Sequence, residues 1–365
     1  MRFKLPSGNW HAASTGTTNF ADAKPAGIEI QQRVLAQLAA GEAVSKKTFW
    51  EVAQEEIAGM RRALDNSRAP KTYRDYIFAI NKYLIPFFGK LTFASIRDET
   101  IDDFSAWREA AMGRKPKAST LRNHASAYNR VIKLARRQGL IRAERVFPDL
   151  PIAGEKSQAR PAFSQPEIDD LLAFMSDWEL GGRLRMSRLM RRLCRSYVEF
   201  LLYTGIRHGT EARALRWRHL QWHYSGDQRY LRVWASGKTG PRYLIAKHQA
   251  IPALERLARW QNLGFADLDG VINARLDRLV FAYPDGGTPY QMEGVFRTLM
   301  RDSELALDTA GRNRTLYSLR HTYATFALAS GVDIHTLARQ MGTSIAMIER
   351  HYSKITPLLS ADKLG

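Results

Sequence analysis

Four short stretches of this sequence hold residue types suited to chemistry on a phosphate diester. Tyr203-Thr-Gly-Ile-Arg207-His-Gly-Thr-Glu211 sets an arginine just past a Thr-Gly turn, with a carboxylate four residues later. Lys238 stands in Ser236-Gly-Lys-Thr-Gly240, and Tyr317-Ser-Leu-Arg320-His-Thr supplies a second arginine. Met341-Gly-Thr343-Ser344 leads to Tyr352, nine residues after Thr343. When a nucleophile attacks a phosphodiester, negative charge builds on the non-bridging oxygens. Two permanently charged, bidentate guanidiniums can hold those oxygens, and fixed charge of this kind is often the largest catalytic contribution. A tyrosine can store the bond as a phosphotyrosine and so divide the reaction into two reversible steps. Its ordinary pKa of about 10 requires an electropositive site for attack at neutral pH. The leaving oxygen needs a proton, which a lysine can supply.

Each of these residues also has a plainer reading. Arg207 and Arg320 could be salt-bridge partners, and Lys238 could be a solvated lysine at a hairpin tip. Tyr352 could be a packing residue, although Glu-Arg-His-Tyr-Ser-Lys makes a poor core. Tyr317 reads equally as a site residue or a core aromatic. Arg242, after Pro241, reads as a phosphate or fold contact rather than a catalytic group. His321 and His351 adjoin Arg320 and Tyr352. Neighbours on a helix point about 100° apart, so they are not assigned to the chemistry.

Charge narrows the partner. Lys and Arg number 55 against 36 Asp and Glu, a net of +19, which is the footprint of a polyanion-binding protein. The single cysteine, Cys194, excludes an internal disulfide framework and a cysteine-based zinc site. No apolar run reaches the length of a membrane span. Met1 to Trp10 lacks the apolar region of a signal peptide, so the reducing cytoplasm is the expected location. No phosphate-binding glycine loop and no carboxylate cluster for a metal stand out.

The elements that must position these residues read as mainly α with a small β-sheet. Residues 1–44 form an N-terminal arm, with a short strand over Trp10 to Ser14 and a helix over Ile28 to Ala40. Residues 45–150 read as an all-helical domain. Phe49 to Met60, Thr72 to Ile85 (ended by Pro86), Thr100 to Ala111 and Ser119 to Gln138 suit helices. Lys115 and Lys117 lie in a basic connector. Arg122, Arg130 and Lys133 decorate the last helix, where a basic face interleaved with His124 and Tyr128 suits a phosphate backbone. Residues 151–160 read as a linker. Beyond it, Ser164-Gln-Pro-Glu167 has capping-box spacing, and residues 161–365 form a larger, mostly helical domain. Its one β feature is a hairpin of Arg229 to Ala235 and Arg242 to Ala246, with Lys238 near the tip.

The four stretches, in this order, resemble the tyrosine recombinases, particularly phage and prophage integrases. The resemblance covers roughly 45–365, most strongly 200–245 and 315–353. It implies an all-helical SAM-like core-binding domain joined to a mixed α/β catalytic domain. It implies a site-specific DNA recombinase that cuts and rejoins duplex DNA through a 3′-phosphotyrosine, with no metal and no cofactor. Arg207 and Arg320 match the two catalytic arginines, Lys238 the hairpin lysine and Tyr352 the nucleophile. Glu211 matches the acidic residue after the first arginine, four residues on where three is commoner. Tyr317 and Thr343 stand where the family usually has histidine, or histidine or tryptophan. The group that takes the proton of Tyr352 therefore stays open. The resemblance further implies four protomers on paired DNA sites, with accessory bending or directionality proteins, in a bacterial cytoplasm. The tail from Ser353 to Gly365 would dock on a neighbour or on its own domain, and the arm would reach accessory DNA. A type IB topoisomerase, or a catalytically inert DNA-binding protein on the same fold, is the alternative.

The charge argument has a direct test. Duplex affinity should weaken by about 0.9 log units per tenfold rise in salt for each phosphate neutralised. A salt titration followed by fluorescence anisotropy would contradict the argument if affinity stayed flat.

Overall fold

A computed structural model describes residues 1–352 apart from 7, 9, 40–46, 67–69, 142–143, 156–159, 238 and 290–291. Lys238 and the tail from Ser353 lie outside the described residues. The chain divides into two compact units, Met1–Gln158 and Ala159–Gly365.

The first unit begins with an antiparallel pair, β1 (Arg2–Lys4) and β2 (Trp10–Ala12), with Phe3 opposite His11. The sequence reading had only the second of these strands. The Arg2 guanidinium lies 4.9 Å from the Trp10 ring centroid. Helix α1 (Phe20–Ala39) starts earlier than its apolar spacing suggested. Then come α2 (Phe49–Asp65), α3 (Thr72–Ala79), α4 (Ile85–Phe88), α5 (Asp98–Met112) and α6 (Ala118–Arg137). Thr48 and Glu51 form a reciprocal capping box at the start of α2, satisfying backbone donors that the helix cannot.

Pro86 does not end its helix, contrary to expectation. A π-turn over Ile80–Leu84 joins α3 to α4, and the Ile85 N–H donates to the Ile80 carbonyl. Proline has no N–H and its ring crowds the carbonyl four residues back. Placing Pro86 in the first turn after a widened segment relieves both conflicts. The helix thereby delivers Phe88 to the aromatic core, 4.7 Å from Phe104 and 5.4 Å from Phe49 between ring centroids.

The expected linker is partly structured within this unit. Leu150 is buried. The Ala118 N–H donates to the Glu155 carbonyl at 3.1 Å, and Lys117 and Glu155 form a parallel bridge. A Cβ on Gly154 would lie 2.6 Å from Leu121 Cδ1 and 2.9 Å from the Pro116 carbonyl oxygen. Only glycine lets the strap pass so close to the start of α6.

The second unit opens with α7 (Gln165–Trp178), capped by the expected box between Ser164 and Glu167. Helix α8 (Arg185–Thr204) runs through the main core, packing against α7 and several later helices. A short α9 (Thr210–Arg213) leads to an antiparallel sheet of β3 (Leu220–Ser225), β4 (Gln228–Gly237) and β5 (Gly240–Ala246), in that order. The hairpin agrees with the period-2 pattern. Leu231, Val233 and Ala235 of β4 and Leu244 and Ala246 of β5 face the core. Strand β3 was not anticipated. Leu220, Trp222 and Tyr224 do alternate, but only Leu220 is buried.

Among the described residues, six helices follow: α10 (Ile251–Trp260), α11 (Leu268–Asn273), α12 (Met292–Asp302), α13 (Leu316–Ala329), α14 (Ile334–Met341) and α15 (Ile345–Tyr352). Among the described residues the unit holds two apolar clusters. The larger spans α7, α8, the sheet, α10 to α12 and the start of α13. The smaller joins Tyr323, Ala324 and Ala327 of α13 to Leu337, Ala338 and Met341 of α14 and Ile348 of α15. Among the described residues, no helix is long and apolar enough to cross a membrane.

Gly205 closes α8 in the left-handed region at φ +63°, and a Cβ there would overlap the Tyr323 ring. Gly205→Ala combines a strained backbone with an overpacked contact. It should cost about 2 kcal/mol or more in a urea unfolding titration.

Candidate active site

The left-handed stop at Gly205 and the buried Ile206 fix where Arg207 emerges. Glu211, in the first turn of α9, is entirely buried in its side chain. It accepts from the Arg207 backbone N–H at 3.3 Å and forms a close ion pair with Arg207 Nη1. Arg207 Nη1 also donates to Thr239 Oγ1 at 3.4 Å, and Nη2 donates to the Gly342 carbonyl.

Arg242 approaches from β5. Its Nη1 and Nη2 donate to the two Glu211 oxygens at 3.1 and 2.9 Å, and its Nε donates to the Gln340 carbonyl at 3.0 Å. Arg320 approaches from the second turn of α13. Its Nη1 donates to the Gly205 carbonyl and its Nη2 to the Met341 carbonyl at 2.7 Å. Three arginines, from the loop before α9, from β5 and from α13, thus cap the consecutive carbonyls of Gln340, Met341 and Gly342. Those carbonyls end α14, where the helix leaves acceptors unpaired and its dipole favours cations. Gly342 turns the chain at φ +61°. A Cβ on it would lie 2.6 Å from the Arg242 Cζ.

The charges explain the titration directions. Burial pushes the Glu211 carboxyl upward, but the hydrogen bonds and charges of Arg242, and then of Arg207, outweigh it. The net result lies below the usual carboxylate range. Burial and the repulsion of Arg207 lower the Arg320 guanidinium to about 10, leaving it charged at neutral pH.

Of the residues proposed from sequence, Arg207, Glu211 and Arg320 come together, and Arg242 joins them. Arg242 was expected on a phosphate or in the fold. Its side chain is 11% exposed and bound as described. Tyr317, three residues before Arg320, is not a core residue. It is 38% exposed, and its ring meets His321 edge-on at 5.2 Å. Thr343 is half-buried and donates its N–H to the Ala338 carbonyl at 3.0 Å. It lines a pocket of about 570 Å³ with Thr239, Arg242, His335, Arg339 and Ser344. Tyr352 is the last residue of α15.

Sequence reasoning missed Thr239, Gly237 and Gln340. Thr239 donates to the Gly342 carbonyl at 3.1 Å. A Cβ on Gly237 would overlap Glu211. The Gln340 amide exchanges two hydrogen bonds with the Ile245 backbone, at 3.0 and 2.6 Å, and so covers the edge of β5. Thr239 and Gly237 flank Lys238, so the turn itself was a usable signal. Nothing in the spacing marks Gln340.

In the first unit, Lys115, Lys117, Arg122 and Lys133 are exposed. Arg122, Ser126, Asn129 and Lys133 make one exposed stripe along α6. Arg130 is instead paired with Glu56 at 2.6 Å and lies 4.4 Å from the Tyr73 ring centroid. The expected interleaving of aromatic groups on this face does not occur. His124 and Tyr128 are buried. Burial, and then the Arg108 charge, lowers His124 to about 4.

Removing the shared carboxylate should be costly, because two partly buried guanidiniums lose their counter-ion. Glu211→Ala should lower stability by about 3–5 kcal/mol at neutral pH in chemical denaturation. A carboxyl with a depressed folded pKa contributes fully above its unfolded pKa of about 4.3, and that contribution is lost as pH falls through the folded value. The gap between wild type and variant should therefore narrow in acid.

No sequence-family model and no curated protein matches the chain. Solved structures do. The XerH site-specific recombinase bound to difH substrate, a pre-cleavage complex, is 14% identical with a TM-score of 0.56, covering 84% of each chain. The Tn1549 transposon integrase in complex with circular intermediate DNA is 15% identical with a TM-score of 0.55, over 84% of this chain and 95% of that one. A lambda integrase tetramer bound to a Holliday junction is 14% identical with a TM-score of 0.51, over 95% and 91%. The mainly helical second unit with its small antiparallel sheet, and the mostly helical first unit before it in the chain, have the fold seen in the XerH recombinase and in the Tn1549 and lambda integrases.

Proposed function

We propose that this chain is a site-specific DNA recombinase that integrates or excises a mobile element through a 3′-phosphotyrosine intermediate. The observation that carries the reading is the convergence of Arg207 and Arg320 beside one buried carboxylate, at the turn that leads into the helix ending in Tyr352. In this reading the tyrosine oxygen attacks the scissile phosphorus and the bond to the 5′ oxygen breaks. Arg207 and Arg320 hold the non-bridging oxygens as their charge grows. Lys238 protonates the departing 5′ oxygen. The phosphotyrosine keeps the energy of the broken bond, so a second 5′-hydroxyl can reverse the step on another strand.

Arg207 is the more accessible of the two arginines, at 22% side-chain exposure against 3% for Arg320 as a residue. Phosphate oxygens would take the place of backbone carbonyls as their acceptors. Duplex DNA is the partner, with residues 45–150 as the core-binding domain and Lys115, Lys117, Arg122 and Lys133 tracking its backbone. Residues 161–365 are the catalytic domain, and residues 1–44 are an arm for accessory sites. A tetramer on paired sites is the working assembly, as the lambda integrase is in its junction complex. Accessory proteins would set direction, and the setting is the bacterial cytoplasm. The docking of the tail from Ser353, in cis or in trans, falls outside the described residues.

The test is covalent trapping on nicked suicide DNA. Wild type should form an adduct whose attached strand maps to Tyr352 and reports the target sequence. Tyr352→Phe should bind the same duplex and form none. A normal adduct yield from Tyr352→Phe would remove the nucleophile assignment, and no adduct from wild type would leave a DNA-binding protein on this fold.

A further inference from the structure

We infer that Arg242 is a positioning residue for strand transfer. It holds the Glu211 carboxylate and the end of α14 in one arrangement, and through them sets where Arg207 points. The inference rests on the recombinase reading for its catalytic meaning, but its geometry stands independently.

A glutamate has several rotatable bonds, and paired with one arginine it could meet that arginine in more than one rotamer. Here both Glu211 oxygens accept from Arg242, at 3.1 and 2.9 Å. That bidentate pair fixes the plane of the carboxylate. With the plane fixed, Glu211 Oε1 meets Arg207 Nη1 and Oε2 meets the Arg207 backbone N–H. Arg242 also reaches the Gln340 carbonyl through Nε, one residue before the Met341 carbonyl taken by Arg320 and two before the Gly342 carbonyl taken by Arg207. The same guanidinium therefore sets the carboxylate and the turn that Arg207 must address. Two glycines clear the space. A Cβ on Gly342 would meet the Arg242 guanidinium, and one on Gly237 would meet Glu211.

A DNA contact is the rival role for a basic residue on a hairpin. Each of the three Arg242 nitrogens already donates inward, and the side chain is 11% exposed. The charged groups facing Glu211 are Arg207 from its own loop, Arg242 from β5 and Arg320 from α13. Arg242 does most among them to keep the carboxyl ionised.

The experiment measures single-turnover cleavage of nicked duplex at saturating DNA across pH, with duplex affinity across salt, for wild type, Arg242→Gln and Arg242→Lys. Arg242→Gln should cleave about 10²-fold more slowly, the size of a small misplacement of a catalytic group. The acid limb of its rate profile should move to higher pH, because Glu211 then protonates more easily. Affinity and salt slope should stay as in wild type. Arg242→Lys should restore the acid limb but not the full rate, since an ammonium cannot hold both oxygens and the carbonyl. Lower affinity with a salt slope reduced by about 0.9, and wild-type cleavage at saturation, would make Arg242 a phosphate contact and overturn the inference. An unmoved acid limb would also overturn it.

Failure of the recombinase reading shows separately, as absence of adduct from wild type. In that case a urea unfolding cycle with Glu211→Gln still decides the pairing. Arg242→Gln should shift the midpoint less in the Glu211→Gln background, and equal shifts in both backgrounds refute the pairing. If Arg242→Gln does not fold, Arg242→Lys carries both measurements.

Discussion

Glu211 is a carboxylate with no exposed side-chain surface, shared by Arg207 and Arg242, and the arrangement of the second unit around its candidate site depends on it. A buried charge is tolerated only when its partners are close and its lone pairs are filled. Both conditions are met, since each oxygen accepts from both arginines. The pairing ties α9 to β5. The same guanidiniums then reach the end of α14. Apolar packing alone would not set this register. The main cluster does not include α14 or α15, which pack in the small cluster with α13. Helix α13 contributes to both clusters and carries Arg320, so it is the apolar and polar bridge between them.

Three cations around one anion leave an excess of positive charge. That excess is stabilised by the backbone carbonyls at the C-terminus of α14. Burial and Arg207 lower the Arg320 guanidinium to about 10, so it still carries its charge at neutral pH. In the proposed reaction, phosphate oxygens would compete with these carbonyls for the same guanidinium donors.

The first unit divides its basic residues by the same physics. On α6, Arg122 and Lys133 stay in solvent, while Arg130 is drawn to Glu56 and the Tyr73 ring. His124 and Tyr128 occupy the apolar side, and burial keeps His124 neutral. The exposed stripe on α6 is narrower and more polar than a count of basic and aromatic residues along the helix suggests. The π-turn before Pro86 keeps the third helical stretch continuous long enough to place Phe88 under that helix, 5.5 Å from the Tyr128 ring centroid.

The sequence by itself determined the features that depend on neighbours along the chain. Capping spacing set the start of α7, period-2 alternation set the β4–β5 hairpin, and the Thr-Gly turn set the exit of Arg207. Its ordered motifs also pointed to Arg207, Glu211 and Arg320 as one group. Only the tertiary structure decided what each charge meets. Arg242 read as a phosphate or fold contact and Arg130 as part of a basic helix face, yet each found a carboxylate on a distant element. Tyr317 read equally as core or site, and it stands half in solvent beside His321. Gln340 carried no signal, yet its amide covers the edge of β5. The reason is physical. Helix caps and strand alternation are decided within a few residues, whereas a long polar side chain takes its partner from whatever the fold brings within hydrogen-bond reach.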